Sequence, residues 1–332
     1  MLRHERRRVC KFIFLCTILL TYKASAMTDQ MSSLALPEHQ SSYRFRSHLA
    51  RTVYQRMLED RQHRDNDHSS WYQFNQQRLS KEMCDMFLQT HQDPETCQFL
   101  ENCFNKADSI FTQLAHTLAK SVLTWFMTQT DANGLLRRGS MFVFSKQQFQ
   151  DLLDIDESWK AATLLDLGAG DGKVTEKMQN HFEQVYATEA SSPMRQRLTE
   201  LGYTLLDIDE WHNNSVQYDV ISCLNLLDRC DRPMTLLRDI HKVLKPGTGR
   251  LIVATVFPFS PYVEYNQDHI PAEYLYIQGK TFEDQVTSFV EDIFKPVGFK
   301  LLKFTRLPYL CEGDLNSSFY VLDDAVFVLE RL

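Results

Sequence analysis

The run LLDLGAGDGKVT, Leu164 to Thr175, is dense in residues that can do chemistry. Glycines at 168, 170 and 172 remove Cβ atoms where an apolar stretch gives way to a polar one, so the backbone can turn tightly and offer its N–H groups to a ligand. A dinucleotide fingerprint spaces its glycines G-x-G-x-x-G and aims a helix N-terminus at a pyrophosphate; here the third glycine comes one residue early, and Asp166 and Asp171 flank the turn. Carboxylates repel phosphate. They suit a cationic ligand rich in hydroxyl and amino groups, a description that S-adenosylmethionine fits, which makes Asp166, Gly168 and Gly170 candidate cofactor contacts. Glu189 follows in YATEA about 20 residues beyond the glycines, the spacing at which a doubly wound unit places an acid on ribose hydroxyls. Further on, YDVISCLNLLD ends in Asn225 and Asp228, an amide and a carboxylate at the mouth of an apolar run.

These groups need a scaffold that brings distant strand ends together. LLDL, QVYATEA, YDVISCL, GRLIVATVF and the late AVFVLE read as strands, separated by PMTLLRDIHKVLKPG and FEDQVTSFVEDIFKPVGF with apolar residues at helical spacing. Strands alternating with amphipathic helices predict an α/β fold, a doubly wound and mostly parallel Rossmann-like sheet with helices on both faces. Ligands of such sheets sit outside the carboxyl ends of the strands, where Asp166, Glu189, Asn225 and Asp228 all fall. The N-terminal half reads as helical: Leu49, Val53 and Met57 share a face, Asp93-Pro94 opens a helix, and Ile110, Leu114, Leu118, Val122 and Trp125 form an apolar stripe. Ser145 with Gln148 reads as a capping box, and Trp71, Tyr72 and Phe74 as a helix packing on the core. The expected organisation is a leader over 1–26, a mobile polar segment over 27–42, a helical cap region over 43–154 and the cofactor-binding domain over 155–332.

The formal net charge of −7 argues against nucleic acid as substrate, since phosphate binding needs a basic face. MLRHERRRVCK, FIFLCTILL and Ala24-Ser25-Ala26 form the basic, apolar and cleavage regions of a signal peptide; a retained anchor and a mitochondrial address are the alternatives. After cleavage no membrane-spanning segment is expected, and Asn213 and Asn316 open sequons compatible with passage through the endoplasmic reticulum. No C-x-x-C pair or other metal-ligand spacing occurs, so no metal is expected. Cys84, Cys97 and Cys103 are the cysteines expected to pair in an oxidising lumen.

LLDLGAGDGKVT, YATE, CLNLLDRCD, TRLPYLCEGD and FYVLDDAVFVL together resemble the DREV family of methyltransferase-like proteins, from about residue 43 to the C-terminus. The resemblance implies a class I methyltransferase fold and a protein-histidine methyltransferase, one that moves a methyl from S-adenosylmethionine to the pros nitrogen of histidine. Its partners would be proteins or peptides with His-x-His sequences in which x is small. Carried over by position, Asp166, Gly168 and Gly170 belong to the cofactor turn and Glu189 to the ribose contact. Asn225 and Tyr309 further line the cofactor pocket, while Asp228 and Tyr320 hold the acceptor imidazole. Many amino-methylating enzymes of this fold carry D/N-P-P-Y after the corresponding strand; Asn225-Leu226-Leu227-Asp228 departs from it. A small-molecule methyltransferase and a catalytically silent cofactor-binding module are the other readings.

Overall fold

Apolar runs of five to eight residues bounded by turn formers are too short to bury themselves as helices and long enough to cross a sheet. In the computed structural model, which describes residues 48–332 other than 214, 265 and 267, they do so. The strands are β1 (Met141–Phe142), β2 (Ala161–Leu167), β3 (Phe182–Thr188), β4 (Thr204–Leu205), β5 (Val220–Leu224), β6 (Arg250–Phe257), β7 (Phe299–Glu312) and β8 (Phe319–Arg331), in the sheet order β1-β7-β8-β6-β5-β2-β3-β4. Strands β4, β3, β2, β5 and β6 run parallel. From β2 the chain winds outward through β3 to β4, then crosses to β5 on the other side of β2. That reversal puts the topological switch, and the crevice it opens, at the carboxyl ends of β2 and β5.

The sheet is mixed rather than parallel to its end. AVFVLE lies in β8, which runs antiparallel to β6 with Ala254 opposite Val326, and β1 runs antiparallel to β7. The cause is chain length: only six residues separate β7 from β8, too few for the crossover that parallel strands need. Successive side chains feed opposite faces of the sheet. Leu165, Ile221 and Phe327 pack with Leu237 and Ile240 of the helix Pro233–Val243 and with Phe289, while Leu164, Val220 and Val326 pack with Phe149, Leu152 and Met178. Each such buried side chain contributes roughly 1.5–3 kcal/mol. The helix that begins at Phe282 behind a Thr281–Asp284 capping box passes through a π-helical turn over Phe289–Phe294.

The described chain divides into two compact units, and the boundary is not at residue 155. One unit comprises Asp67–Cys97, Ser140–Cys311 and Val321–Leu332; the other comprises, of the described residues, 48–66, Gln98–Gly139 and Glu312–Tyr320. Ser140 onward joins the sheet unit because Met141 pairs with Cys311 and because the helix Lys146–Leu153, opened by the Ser145–Gln148 capping box, buries Phe149 and Leu152. Asp67–Cys97 joins it through hydrogen bonds of Leu88 and Met86 with Phe304 in β7. Trp71 and Tyr72 lie in a 3-10 turn, Ser69–Tyr72, not on a helix, though Tyr72 is buried.

In the helical unit the helix Ile110–Leu123 forms where expected but faces the other way: Gln113, Ala119 and Leu123 are buried, whereas Leu118, Val122 and Trp125 are exposed. The polar interior of that unit centres on Glu312, which accepts a hydrogen bond from Lys106 (2.7 Å) and forms an ion pair with Arg138 (2.6 Å). Among the described residues no disulfide joins Cys84, Cys97 and Cys103, the cysteines expected to pair. The leader and polar segment lie outside the described residues; among those described, no helix is long and apolar enough to cross a membrane.

Candidate active site

The glycine turn is folded back onto the end of β3. The Thr188 carbonyl accepts from the N–H groups of both Gly168 and Ala169 at 3.0 Å. Gly168, Gly170 and Gly172 all have left-handed backbones, with φ of +71, +55 and +80. A Cβ on Gly172 would come within 2.7 Å of Leu201 and 2.9 Å of Leu198, whereas one on Gly170 would meet nothing within 4 Å. Gly172 thus lets the turn close on the helix Ser192–Glu200, and Gly170 leaves open space beside an exposed stretch of backbone. Glu189 spans that stretch: one carboxylate oxygen accepts from Gly170 N–H at 2.9 Å and the other from Ser191 N–H at 2.7 Å.

Asp166 occupies an internal place in this turn. Its oxygens accept from the hydroxyls of Thr175 (2.6 Å) and Ser222 (2.7 Å), bracing β2 against β5 and against the helix start after the glycines. Burial pushes its carboxyl up to about 6, against an ordinary 3.8, in spite of both hydrogen bonds.

The second half of the site is built at the end of β5. Asn225 has a left-handed backbone, φ +52, which asparagine tolerates better than most residues, and its N–H is tied to the Ala254 carbonyl of β6 at 2.9 Å. Its side-chain Nδ2 donates to Asp324 Oδ2 at 2.9 Å. The next residues form a turn in which the Leu226 carbonyl accepts from Arg229 and Cys230, presenting Asp228 from within it. Asp228 is not the cap of the following helix, which begins at Pro233 with Arg232 before it. Its Oδ2 lies 3.1 Å from Arg229 Nε, and its carbonyl accepts from Tyr262 N–H, on the loop after β6, at 2.7 Å. Burial raises the Asp228 carboxyl above its ordinary value, and Arg229 offsets part of that rise.

Tyr309, in β7, is buried with its hydroxyl on the sulfur of Met141. Burial first, then neighbouring Cys311, Asp324 and Asp228, push its phenol well above the ordinary value, so it stays neutral. Tyr320 is not assembled with these residues in one unit. It belongs to the helical unit, half-exposed, with its hydroxyl donating to Asp314 at 3.1 Å.

Asp324 is the site residue that sequence reading missed. It stands in FYVLDDAVFVL, where the apolar run hides it; the available signal was an acid pair inside a strand whose other residues read as core. Period-two alternation sends the two acids to opposite faces. Asp323 is answered by a two-pronged contact from Arg306, at 2.6 Å to each oxygen, whereas Asp324 is fully buried with only Asn225 as partner. Burial, with Asp228 nearby, raises its carboxyl well above the usual range.

Three acceptor atoms of this cluster, Asn225 Oδ1, Asp228 Oδ1 and Asp324 Oδ1, are buried with no hydrogen-bond donor. Buried acceptors are nearly always answered, so the cluster suits a ligand that brings donors or positive charge. S-adenosylmethionine carries both. With the open space beside Gly170 and the Glu189 carboxylate at the end of β3, the residues present fit it.

A sequence model of the DREV methyltransferase family matches residues 71–331. Among curated proteins, the ubiquinone biosynthesis O-methyltransferase of Coxiella burnetii is 25% identical over 105 residues, 29% of this chain and 44% of that protein. The enzyme of the same description from Aeromonas salmonicida is 28% identical over 102 residues, 28% and 42% of the respective chains. The chain thus spans less than half the length of these relatives. Among solved structures, the N-methyltransferase NodS from Bradyrhizobium japonicum, in complex with S-adenosyl-L-homocysteine, aligns with a TM-score of 0.37 at 15% identity, over 56% of this chain and 84% of that one.

Proposed function

The chain belongs to the DREV methyltransferase family, whose members use S-adenosylmethionine, and on that premise we propose that its acceptor is the pros nitrogen of a protein histidine. The observation that supports this most directly is the buried, unanswered Asp228 Oδ1 beside Asn225. A neutral imidazole, with an ordinary pKa near ~6.5, already carries a nucleophilic lone pair and needs no strong base to start. What must be set is the tautomer, and a hydrogen bond to one ring nitrogen sets it. Asp228 Oδ1 accepts the tele N–H, which leaves the pros lone pair free to attack, and the same carboxylate then stabilises the imidazolium that forms. Its raised proton affinity suits it to take up that tele proton as the neutral methylated ring leaves. Arg229, on the other oxygen, directs Oδ1 to the ring. The bound cofactor supplies an electrophilic methyl on a sulfonium; the protein's part is alignment, which contributes several kcal/mol in well-oriented reactions, on the order of ~7 or more.

His-x-His peptides are the proposed substrates. The basic and apolar leader supports a secretory-pathway location. The test is mass spectrometry of a His-Ala-His peptide incubated with the chain and S-adenosylmethionine, alongside Asp228→Ala. One methyl on the pros nitrogen, absent with the variant, is expected. Cofactor binding without peptide methylation would transfer the case to a small-molecule acceptor, the reading that the partial matches to ubiquinone biosynthesis O-methyltransferases favour.

A further inference from the structure

We propose that Asp324 is a positioning residue for methyl transfer, holding the Asn225 side-chain amide so that its oxygen faces the reacting groups. The inference rests on the reading that Asn225 lines the transfer site, but not on the acceptor being histidine.

Asp324 sits opposite Val256 in the β6–β8 ladder, fully buried, and the residues that follow it, Ala325, Val326 and Phe327, are buried and apolar. A carboxyl there is costly to bury, and an apolar residue would pack at least as well. Its one hydrogen bond goes to Asn225 Nδ2, and its other oxygen has no donor. One hydrogen bond does not offset such burial. Stability therefore gives no reason for an acid at this position, whereas orientation does. The two ends of an asparagine amide have nearly the same shape, and only their hydrogen-bonding sense differs. Asp324 Oδ2 stands as an acceptor facing the NH2 end of the amide, and the amide oxygen turned to the same place would meet it acceptor to acceptor. The Asn225 backbone is already fixed, by its left-handed φ and by its bond to Ala254, so the remaining freedom is the side-chain torsion. Asp324 removes it. The site then presents an acceptor at Asn225 Oδ1, which selects ligands bearing N–H or ammonium groups and rejects acceptor-only groups in that place.

The test compares Asp324→Asn, whose own amide oxygen can still accept from Asn225, with Asp324→Ala, which cannot. Turnover of the His-Ala-His peptide is expected to fall about 100-fold in D324A, the scale of a misplaced reacting group, and to stay within about fivefold of wild type in D324N. D324A introduced into N225A should lower turnover no further than N225A alone, because the effect passes through Asn225. D324N should not melt below wild type, since it removes a buried acid and keeps the hydrogen bond. In NMR spectra of the isotope-labelled chain, the Asn225 side-chain amide protons should exchange slowly in wild type and D324N and rapidly in D324A.

Wild-type turnover in D324A, multiplying losses in the double variant, D324N as inactive as D324A, or a lowered melting temperature in D324N would each overturn the proposal. If wild type leaves the peptide unmethylated, the histidine reading falls, and the amide exchange still decides the role of Asp324.

Discussion

Asp166 and Asp228 are both buried acids four residues or fewer from a strand end, and their surroundings give them opposite work. Asp166 has each oxygen answered by an internal hydroxyl and holds the turn together; Asp228 keeps one oxygen free of donors. The difference has a measurable signature in the dependence of stability on pH. Below the unfolded value of 3.8, Asp166 is protonated in both states and burial costs nothing. As pH rises towards about 6 the unfolded chain ionises while the folded chain keeps its proton, so stability falls; above the folded value the loss is complete. The gap corresponds to about 3 kcal/mol at 1.36 kcal/mol per pH unit. Asp166→Asn, which retains hydrogen-bonding atoms for Thr175 and Ser222 but cannot ionise, should therefore gain about that much relative to wild type between pH 3.5 and 7. Urea unfolding across that range reads it, and parallel curves for the two proteins would refute it. The same residue marks how far chemistry was legible in the sequence. An acid before a glycine turn is visible as a string; whether it faces a ligand or two hydroxyls is decided by Thr175 and Ser222, which lie 9 and 56 positions away.

At the scale of elements, the glycine turn was readable because backbone geometry leaves a local trace: three glycines with left-handed φ between an apolar run and a polar one. Their division of labour was not, since it depends on what the helix Ser192–Glu200 brings over the turn. Gly172→Ala would drive a methyl into Leu201 and Leu198 and should lower the melting temperature by several degrees. Gly170→Ala carries only the left-handed backbone penalty, about 1 kcal/mol, and should leave melting nearly unchanged. Its methyl enters the space assigned to the cofactor, so S-adenosylmethionine affinity by calorimetry should fall tenfold or more in Gly170→Ala, a ~1.4 kcal/mol effect. The reverse assignment, a fold defect at 170 and normal melting at 172, would show that the open space has been misread. Other elements were misjudged for physical reasons. The apolar run AVFVLE revealed a strand but carries no direction; the short connection from β7 sets that. The stripe through Leu118, Val122 and Trp125 has helical spacing, which fixes that its residues share a face and not that the face is covered.

Across the whole molecule, charge is the property the sequence states most plainly. A formal net charge of −7 surrounds a site whose buried groups are Asp166, Asp228, Asp324 and Glu189, with Arg229 as the cation on Asp228. Such a field lowers the encounter rate for anions and raises it for cationic peptides, and salt weakens it because exposed charges more than about 8–10 Å apart are screened near physiological ionic strength. A His-x-His peptide flanked by lysines should accordingly lose kcat/KM about three- to tenfold between 20 and 300 mM salt, while kcat, measured at saturating peptide, changes little. The same peptide flanked by serines, assayed above pH 7.5 where its imidazoles are neutral, should show a much weaker dependence. Equal salt dependence in the two peptides would place the effect on folding or on cofactor binding instead of encounter. No dependence in either would leave recognition to short-range contacts alone: the Asp228 carboxylate, the oriented Asn225 amide and the strand ends that carry them.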